Sequence, residues 1–148
     1  MKPLVIGLTG PIGSGKSHVR SVLVSLGAEG IDADRVAHEV MAPDGPAYPG
    51  IVAEFGPAIL GAEGLIDRGL LGARVFGDSA ALARLEAIVH PAVGQAIRAR
   101  VDASIAPLIV IEAIKLLESP LRATLDSLWV TYSPPPVQLA RLMQKRGL

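Results

Sequence analysis

Residues Gly10 to Ser17 read Gly-Pro-Ile-Gly-Ser-Gly-Lys-Ser, directly after the apolar run Leu4-Val5-Ile6-Gly7-Leu8. No other stretch limits the fold as tightly. Gly10, Gly15, Lys16 and Ser17 stand at the spacing of a Walker A phosphate-binding loop, which works only between a strand and a helix. Small residues let the backbone curl around an anion, with successive N–H groups pointing inward. A helix beginning at the loop adds the positive end of its dipole. Lys16 then reaches the β- and γ-phosphates, and the Ser17 hydroxyl is placed for Mg²⁺. A chain with 16 glycines in 148 residues carries the spaced pattern by chance roughly 0.4% of the time. A Gly-rich turn without chemistry is therefore the weaker reading.

The flanks supply the required order. Leu4–Leu8 suits a buried parallel strand, while Val19, Val22, Leu23 and Leu26 recur at helical spacing and Gly27 fits a helix stop. Ala28 to Ile31 predicts a short second strand running into Asp32-Ala33-Asp34. Residues 43 to 69 are rich in Gly and Pro and read as irregular, with one helix across Ala47 to Phe55. A helix capped by Asp67 is expected from Arg68 to Phe76, with Leu70, Leu71, Val75 and Phe76 inward. Another is expected from Ser79 to Val89, its stripe formed by Leu82, Leu85, Ile88 and Val89. His90-Pro91 should break the chain before a further helix to Ser104. Pro107 to Ile111 is the strongest strand signal, followed by a strand over Leu128 to Tyr132. Ser133-Pro134-Pro135-Pro136 reads as an N-cap and prolines entering a helix. Strands alternating with helices predict an α/β fold: a P-loop core with a parallel sheet covered by helices.

Composition narrows the function classes. Hydrophobic residues are 50% and charged residues 19% of the chain, so a packed domain is expected rather than global disorder. Lys plus Arg and Asp plus Glu are 14 each, which gives no net field for nucleic acid or anionic membrane, and neither is expected as a partner. The absence of cysteine excludes disulfides and thiolate zinc sites. No apolar run reaches membrane-spanning length and the N-terminus lacks a signal-peptide layout, so a cytoplasmic location is expected.

Phosphoryl transfer needs positioning, metal and charge neutralisation. The expected ATP-binding residues are Pro11, Ile12, Gly13, Ser14, Gly15, Lys16, Ser17 and His18, with Lys16 also catalytic. Mg²⁺ is the expected cofactor, held by Ser17 and by Glu112, which ends the long apolar strand. Ligands gather at the carboxyl ends of parallel strands, so Asp32 and Asp34 are candidates to act on an acceptor hydroxyl. Asp34 has a competing role as the start of the helix carrying Val36, Ala37 and Val40. Glu112 and Lys115 compete with solvated surface roles, and His38 reads as structural.

Several segments together resemble the dephospho-CoA kinase family. They are Gly7-Leu8-Thr9-Gly10 with Ile12-Gly13-Ser14-Gly15-Lys16-Ser17, then Leu26-Gly27-Ala28 leading to Ile31-Asp32-Ala33-Asp34. Phe55-Gly56, Leu65-Ile66-Asp67-Arg68, Val75-Phe76 and Leu85-Glu86-Ala87-Ile88-Val89-His90-Pro91 follow. Leu116-Leu117-Glu118-Ser119 and Gln138-Leu139-Ala140-Arg141-Leu142-Met143 complete the series in the family's order. The resemblance implies transfer of the γ-phosphoryl of ATP to the ribose 3′-hydroxyl of dephospho-CoA. It implies a P-loop core at 1–42 and 105–148, and a helical CoA-binding subdomain at 43–104. Asp34 matches the acid that serves as base. Arg68 and His90 match acceptor contacts, against the simpler roles of an Arg68 ion pair with Asp67 or Glu86 and a His90 helix cap. Arg141 matches a nucleotide-side arginine. Pro11, His18, the Ile114-Lys115 stretch and Lys145 depart from the family's usual residues. The sequence ends at Leu148, before the family's lid helices and last strand-helix unit, so an incomplete lid and weak turnover are expected. Other readings are another small-molecule P-loop kinase or a non-catalytic nucleotide-binding module.

Overall fold

The computed structural model describes residues 1–147, so Leu148, the last residue of the expected core, lies outside the described residues. Four strands form one sheet: β1 (Leu4–Thr9), β2 (Glu29–Asp32), β3 (Leu108–Glu112) and β4 (Ser127–Val130). Their order is β2-β3-β1-β4 and every pairing is parallel. The chain leaves β1 for β2 on one side and later places β4 on the other. The end of β1 is therefore a switch point of the kind where α/β sheets bind ligands. β1 and β3 are the inner strands, and Val5, Ile6 and Leu8 with Ile109, Val110 and Ile111 are buried, as near-continuous apolar runs predict.

Six α-helices accompany the sheet among the described residues: α1 (Lys16–Ser25), α2 (Ala33–Val40), α3 (Tyr48–Phe55), α4 (Arg68–Val75), α5 (Ser79–Ala103) and α6 (Pro135–Lys145). Helix α1 stops where Gly27 takes φ 104°, a left-handed conformation that a Cβ would strain. Val19 and Leu23 of α1 pack on Leu8, Ala28 and Val110, which identifies the face of the sheet that α1 covers. Asp67 caps α4 by accepting from Leu70 N at 2.9 Å, as the sequence predicts. Asp78 does the same for α5 through Ala81 N at 3.0 Å.

The chain packs as two compact units, one formed by Met1–Ala33 with the chain from Arg100 onward and the other by Asp34–Ala99. The expected subdomain 43–104 shares residues 43 to 99 with the second unit. That unit buries Val36, Val40, Ile51, Ile59, Leu71, Val89, Val93 and Ile97, and holds four of the helices wholly or in large part.

Three local expectations are corrected. His90-Pro91 does not break the chain, because α5 continues through Pro91 to Ala103. An interior proline costs roughly 3 kcal/mol. Burying Val89, Val93 and Ile97 on one continuous helix face returns roughly 1.5–3 kcal/mol for each side chain. Ser133 does not cap α6: Pro134 occupies the N-cap position, and no side chain caps the helix there. Finally, Leu70, Phe76 and Leu82 are exposed, with Phe76 at 91%, whereas Leu71 is buried. Helix α4 ends at Val75, and Phe76 turns to extended backbone beyond the helical stripe.

Candidate active site

The loop from Gly10 to Gly15 follows β1 and opens α1, so strand, loop and helix stand in the order the motif requires. Gly10 takes φ 151° and Gly13 φ 80°, and a Cβ on Gly10 would lie 2.3 Å from Thr131 Oγ1. Both positions thus require glycine, for conformation and for space. Protein donors take the carbonyl oxygens of Gly10, Pro11 and Gly15. Lys16 Nζ donates to Gly10 O at 2.8 Å and to Pro11 O at 3.3 Å. Ser14 N also donates to Pro11 O, and Val19 N to Gly15 O. A loop whose carbonyls are engaged in this way presents its N–H groups to an anion. Lys16 is itself only 8% exposed, so its charge sits against the loop rather than in bulk water.

Of the carboxylates expected at the strand ends, Glu112 reaches this loop through Ser17. Leu8 of β1 and Asp32 of β2 are both register partners of Glu112. Glu112 is buried, with Oε1 accepting from Ser17 Oγ at 3.0 Å and Oε2 from Arg20 Nε at 2.5 Å. Ser17 and Arg20 are three apart on α1, which puts them on one helix face. Val110 and Glu112 are two apart on β3, which puts them on one sheet face. Because Val110 packs beneath α1, Glu112 meets that helix face directly.

A second set of contacts braces the loop from the C-terminal side. Ser14 Oγ and Thr131 Oγ1 are 2.6 Å apart, and Thr131 N donates to Thr9 O at 2.8 Å. Ser133 is buried; its hydroxyl donates to Ser14 O at 3.3 Å and accepts from Arg141 Nη1 at 3.0 Å. Arg141 Nη1 also donates to Gly13 O at 3.0 Å. Among the described residues, no buried side-chain nitrogen or oxygen lacks a hydrogen-bond partner. No cluster of three His, Asp or Glu suited to a metal is present among them either.

The structure thus joins Lys16, Ser14, Ser17, Glu112 and Arg141 around the loop, with Asp32 one strand away in register. His18 and Ile12 are exposed beside it. Asp34 lies in the first turn of α2, one residue inside the helix, and is exposed. In the same unit as Asp34, Arg68 and His90 are also exposed. Arg68 makes no ion pair with Asp67 or Glu86 among the described residues. His90 sits inside α5 and caps nothing. Three residues of the loop site escape the sequence reading: Arg20, Thr131 and Ser133. The three-residue spacing from Ser17 is a usable signal for Arg20. Ser133 was hidden by its resemblance to a helix cap, and Thr131 gave no signal.

Comparison with known proteins agrees with this fold. A family model described as dephospho-CoA kinase matches residues 4–148. A dephospho-CoA kinase of Moorella thermoacetica is 44% identical over 97% of this chain and 70% of its own length. One from Geobacter metallireducens is 45% identical over 98% and 74%. Among solved structures, TT1252 from Thermus thermophilus superposes with a TM-score of 0.87 at 32% identity, covering all of this chain and 75% of that one. The dephospho-CoA kinase from Campylobacter jejuni gives a TM-score of 0.67 at 27% identity, covering 97% and 73%.

Proposed function

The chain belongs to the dephospho-CoA kinase family, and from that premise we propose how its own residues serve the reaction. The enzyme transfers the γ-phosphoryl group of ATP to the ribose 3′-hydroxyl of dephospho-CoA, giving CoA and ADP, the last step of coenzyme A synthesis. The observation that carries the residue assignments is the braced loop, with Lys16 lying against it and Ser17 bonded to Glu112.

In this reading the residues 11–18 bind the triphosphate through backbone N–H groups, and Lys16 offsets charge on the β- and γ-phosphates. Lys16 exchanges its hold on the Gly10 and Pro11 carbonyls for phosphate oxygens. Pro11 brings no N–H to the anion, so its share is a fixed φ and a carbonyl that accepts from Ser14 N. Arg141, tied to Gly13 O, stands on the nucleotide side. Ser17 and Glu112 are hard oxygen donors, which fit Mg²⁺. This ion takes one or two protein ligands and completes its shell with phosphate and water oxygens, so a denser acidic cluster is unnecessary. Bound there, Mg²⁺ supplies neutralisation of phosphate charge. Asp34 accepts the proton of the acceptor hydroxyl, with Asp32 nearby in the chain, while Arg68 and His90 contact the acceptor. The helices of 43–104 form the CoA-binding subdomain. No helix among the described residues is long and apolar enough to cross a membrane.

The test is ADP release by the purified protein with ATP and Mg²⁺, with and without dephospho-CoA. Release that requires dephospho-CoA and yields a 3′-phosphate supports the reading. ATP binding without acceptor-dependent release would assign a nucleotide-binding module, and release stimulated better by a nucleoside would assign another kinase.

A further inference from the structure

We propose that Arg20 is a positioning residue for phosphoryl transfer in this protein. It clamps Oε2 of Glu112 so that Oε1 stays turned toward the Ser17 hydroxyl. The inference rests on the reading of Ser17 and Glu112 as the Mg²⁺ side of the site.

The carboxylate is held at both ends, by Arg20 Nε at 2.5 Å and by Ser17 Oγ at 3.0 Å. A side-chain carboxylate pinned on one oxygen by a neutral hydroxyl alone still rotates. A charged donor on the second oxygen removes that freedom and roughly doubles the strength of the contact. Burial raises the importance of the pairing, because Glu112 is 8% exposed and a buried charge needs a partner. Asp32, its register neighbour on β2, adds a second acidic residue at the adjacent strand end. Like charges directly across a sheet are unfavourable, and the Arg20 guanidinium offsets them.

The fold also provides a path for the arginine. Gly30 lies two residues before Asp32 on β2, hence on the same sheet face. A Cβ at Gly30 would stand 3.4 and 3.5 Å from Arg20 Cγ and Cδ, and 2.9 Å from Val24 Cγ2. The arginine stem therefore runs over a position that carries no side chain. The side chain is 28% exposed, unlike Arg35 on α2, which is 79% exposed in its pair with Glu39. Arg20 is packed in place along its length and bonded at its tip.

The experiment uses Arg20→Met, which keeps the stem and removes charge and donors, beside Arg20→Lys and Gly30→Ala. The Mg²⁺ concentration giving half-maximal ADP release should rise about 10-fold in Arg20→Met. Arg20→Lys should recover part of the loss, since lysine restores charge without the planar fork. Gly30→Ala, which crowds the stem but leaves Arg20 in the chain, should shift the requirement the same way and less. Mn²⁺ binding to the protein–ADP complex, read from the signal of free Mn²⁺ by electron paramagnetic resonance, should weaken in parallel. Nucleotide binding without metal should stay unchanged. An unchanged metal requirement in folded Arg20→Met overturns the proposal. So does a lowered requirement, which would make Arg20 a competitor of the cation. If Arg20→Met does not fold, an unchanged requirement in both other variants overturns it equally. Ser17→Ala and Glu112→Gln separate the two levels: if neither alters the Mg²⁺ requirement, the metal-site reading itself fails.

Discussion

The two units of the molecule are held together by different kinds of contact. Around the phosphate loop the polar contacts join residues far apart in the chain: Ser17 to Glu112 across 95 positions, Ser14 to Thr131 across 117, and Gly13 to Arg141 across 128. In the unit Asp34–Ala99, the side-chain contacts are local by comparison. Tyr48 reaches Gly64 across 16 positions and Arg84 reaches Glu54 across 30. Helix caps at Asp67 and Asp78 and an aliphatic interior do the rest. A loop that must present N–H groups to a polyphosphate needs its carbonyls fixed beforehand, and here Ser133 and Arg141 from distant segments take the Ser14 and Gly13 carbonyls while Lys16 and local N–H groups take the others. Helices that, in the proposed function, offer exposed residues to an acceptor need only be stable themselves. The contrast predicts that changes in the loop unit reduce turnover whatever the acceptor, whereas changes in the helical unit, apart from its first residue Asp34, act through acceptor affinity.

The largest effect should come from the loop. Lys16→Ala is expected to lower kcat by about 10³-fold, the scale for removing one charge-stabilising donor from a transition state. Thermal unfolding should change little, because the ammonium contacts only two carbonyls of the loop. A Lys16→Ala protein that turns over at even a tenth of the normal rate would remove the loop from the chemistry. Asp34→Asn should lower kcat by about 10²-fold while ATP affinity stays the same, since the amide keeps shape but cannot accept the proton. Asp34 lies inside the first turn of α2, so a purely helical role would instead appear as a small loss of stability with normal turnover per folded molecule.

How much of this was readable in the sequence follows from the same contrast. Local signals carried their elements well. The loop with its flanking strand and helix, the Asp67 cap, the Gly27 stop and the β3 run all lie within a few residues of where their patterns placed them. The α/β architecture with its parallel sheet follows from those patterns. What was not legible depends on distant packing. Ser133 looks like a cap in sequence because serine before prolines usually is one. Its hydroxyl is taken instead by Ser14 and Arg141, over a hundred positions away and eight positions on. Pro91 signals a break because it lacks a donor, yet the buried face shared by Val89, Val93 and Ile97 decides the outcome. The alternation of apolar residues also overstated the depth of α4, whose Leu70 is 44% exposed beside the buried Leu71.

Substitutions in the helical unit test the other half of the contrast. Arg68→Ala should raise KM for dephospho-CoA about 10-fold, the value of one charge-assisted contact, with kcat changed less. His90→Ala should act the same way and more weakly, because an imidazole offers fewer donors than a guanidinium. Both residues are exposed, so both proteins should unfold near the normal temperature. An equal fall in kcat and kcat/KM at either position would place it in the transition state, on the same footing as the loop residues.

The smallest effects compare one brace from each unit by stability alone. Ser133→Ala removes the buried hydroxyl that links Ser14 O with Arg141. It should cost about 1 kcal/mol in urea unfolding, because a buried acceptor and a guanidinium donor both lose a partner. Arg84 and Glu54 approach as closely as 2.5 Å, yet their side chains are 51% and 35% exposed. Water and salt screen such a pair, and fixing two long side chains offsets much of the attraction. A double-mutant cycle of Arg84→Ala and Glu54→Ala should return only about 0.2–0.5 kcal/mol, falling further as salt is added. A coupling above about 1 kcal/mol, the cost expected for Ser133→Ala, and persisting at high salt would mean that the helical unit contains a positioned ion pair. The distinction between a braced loop unit and a self-supporting helical unit would then fail at its own test.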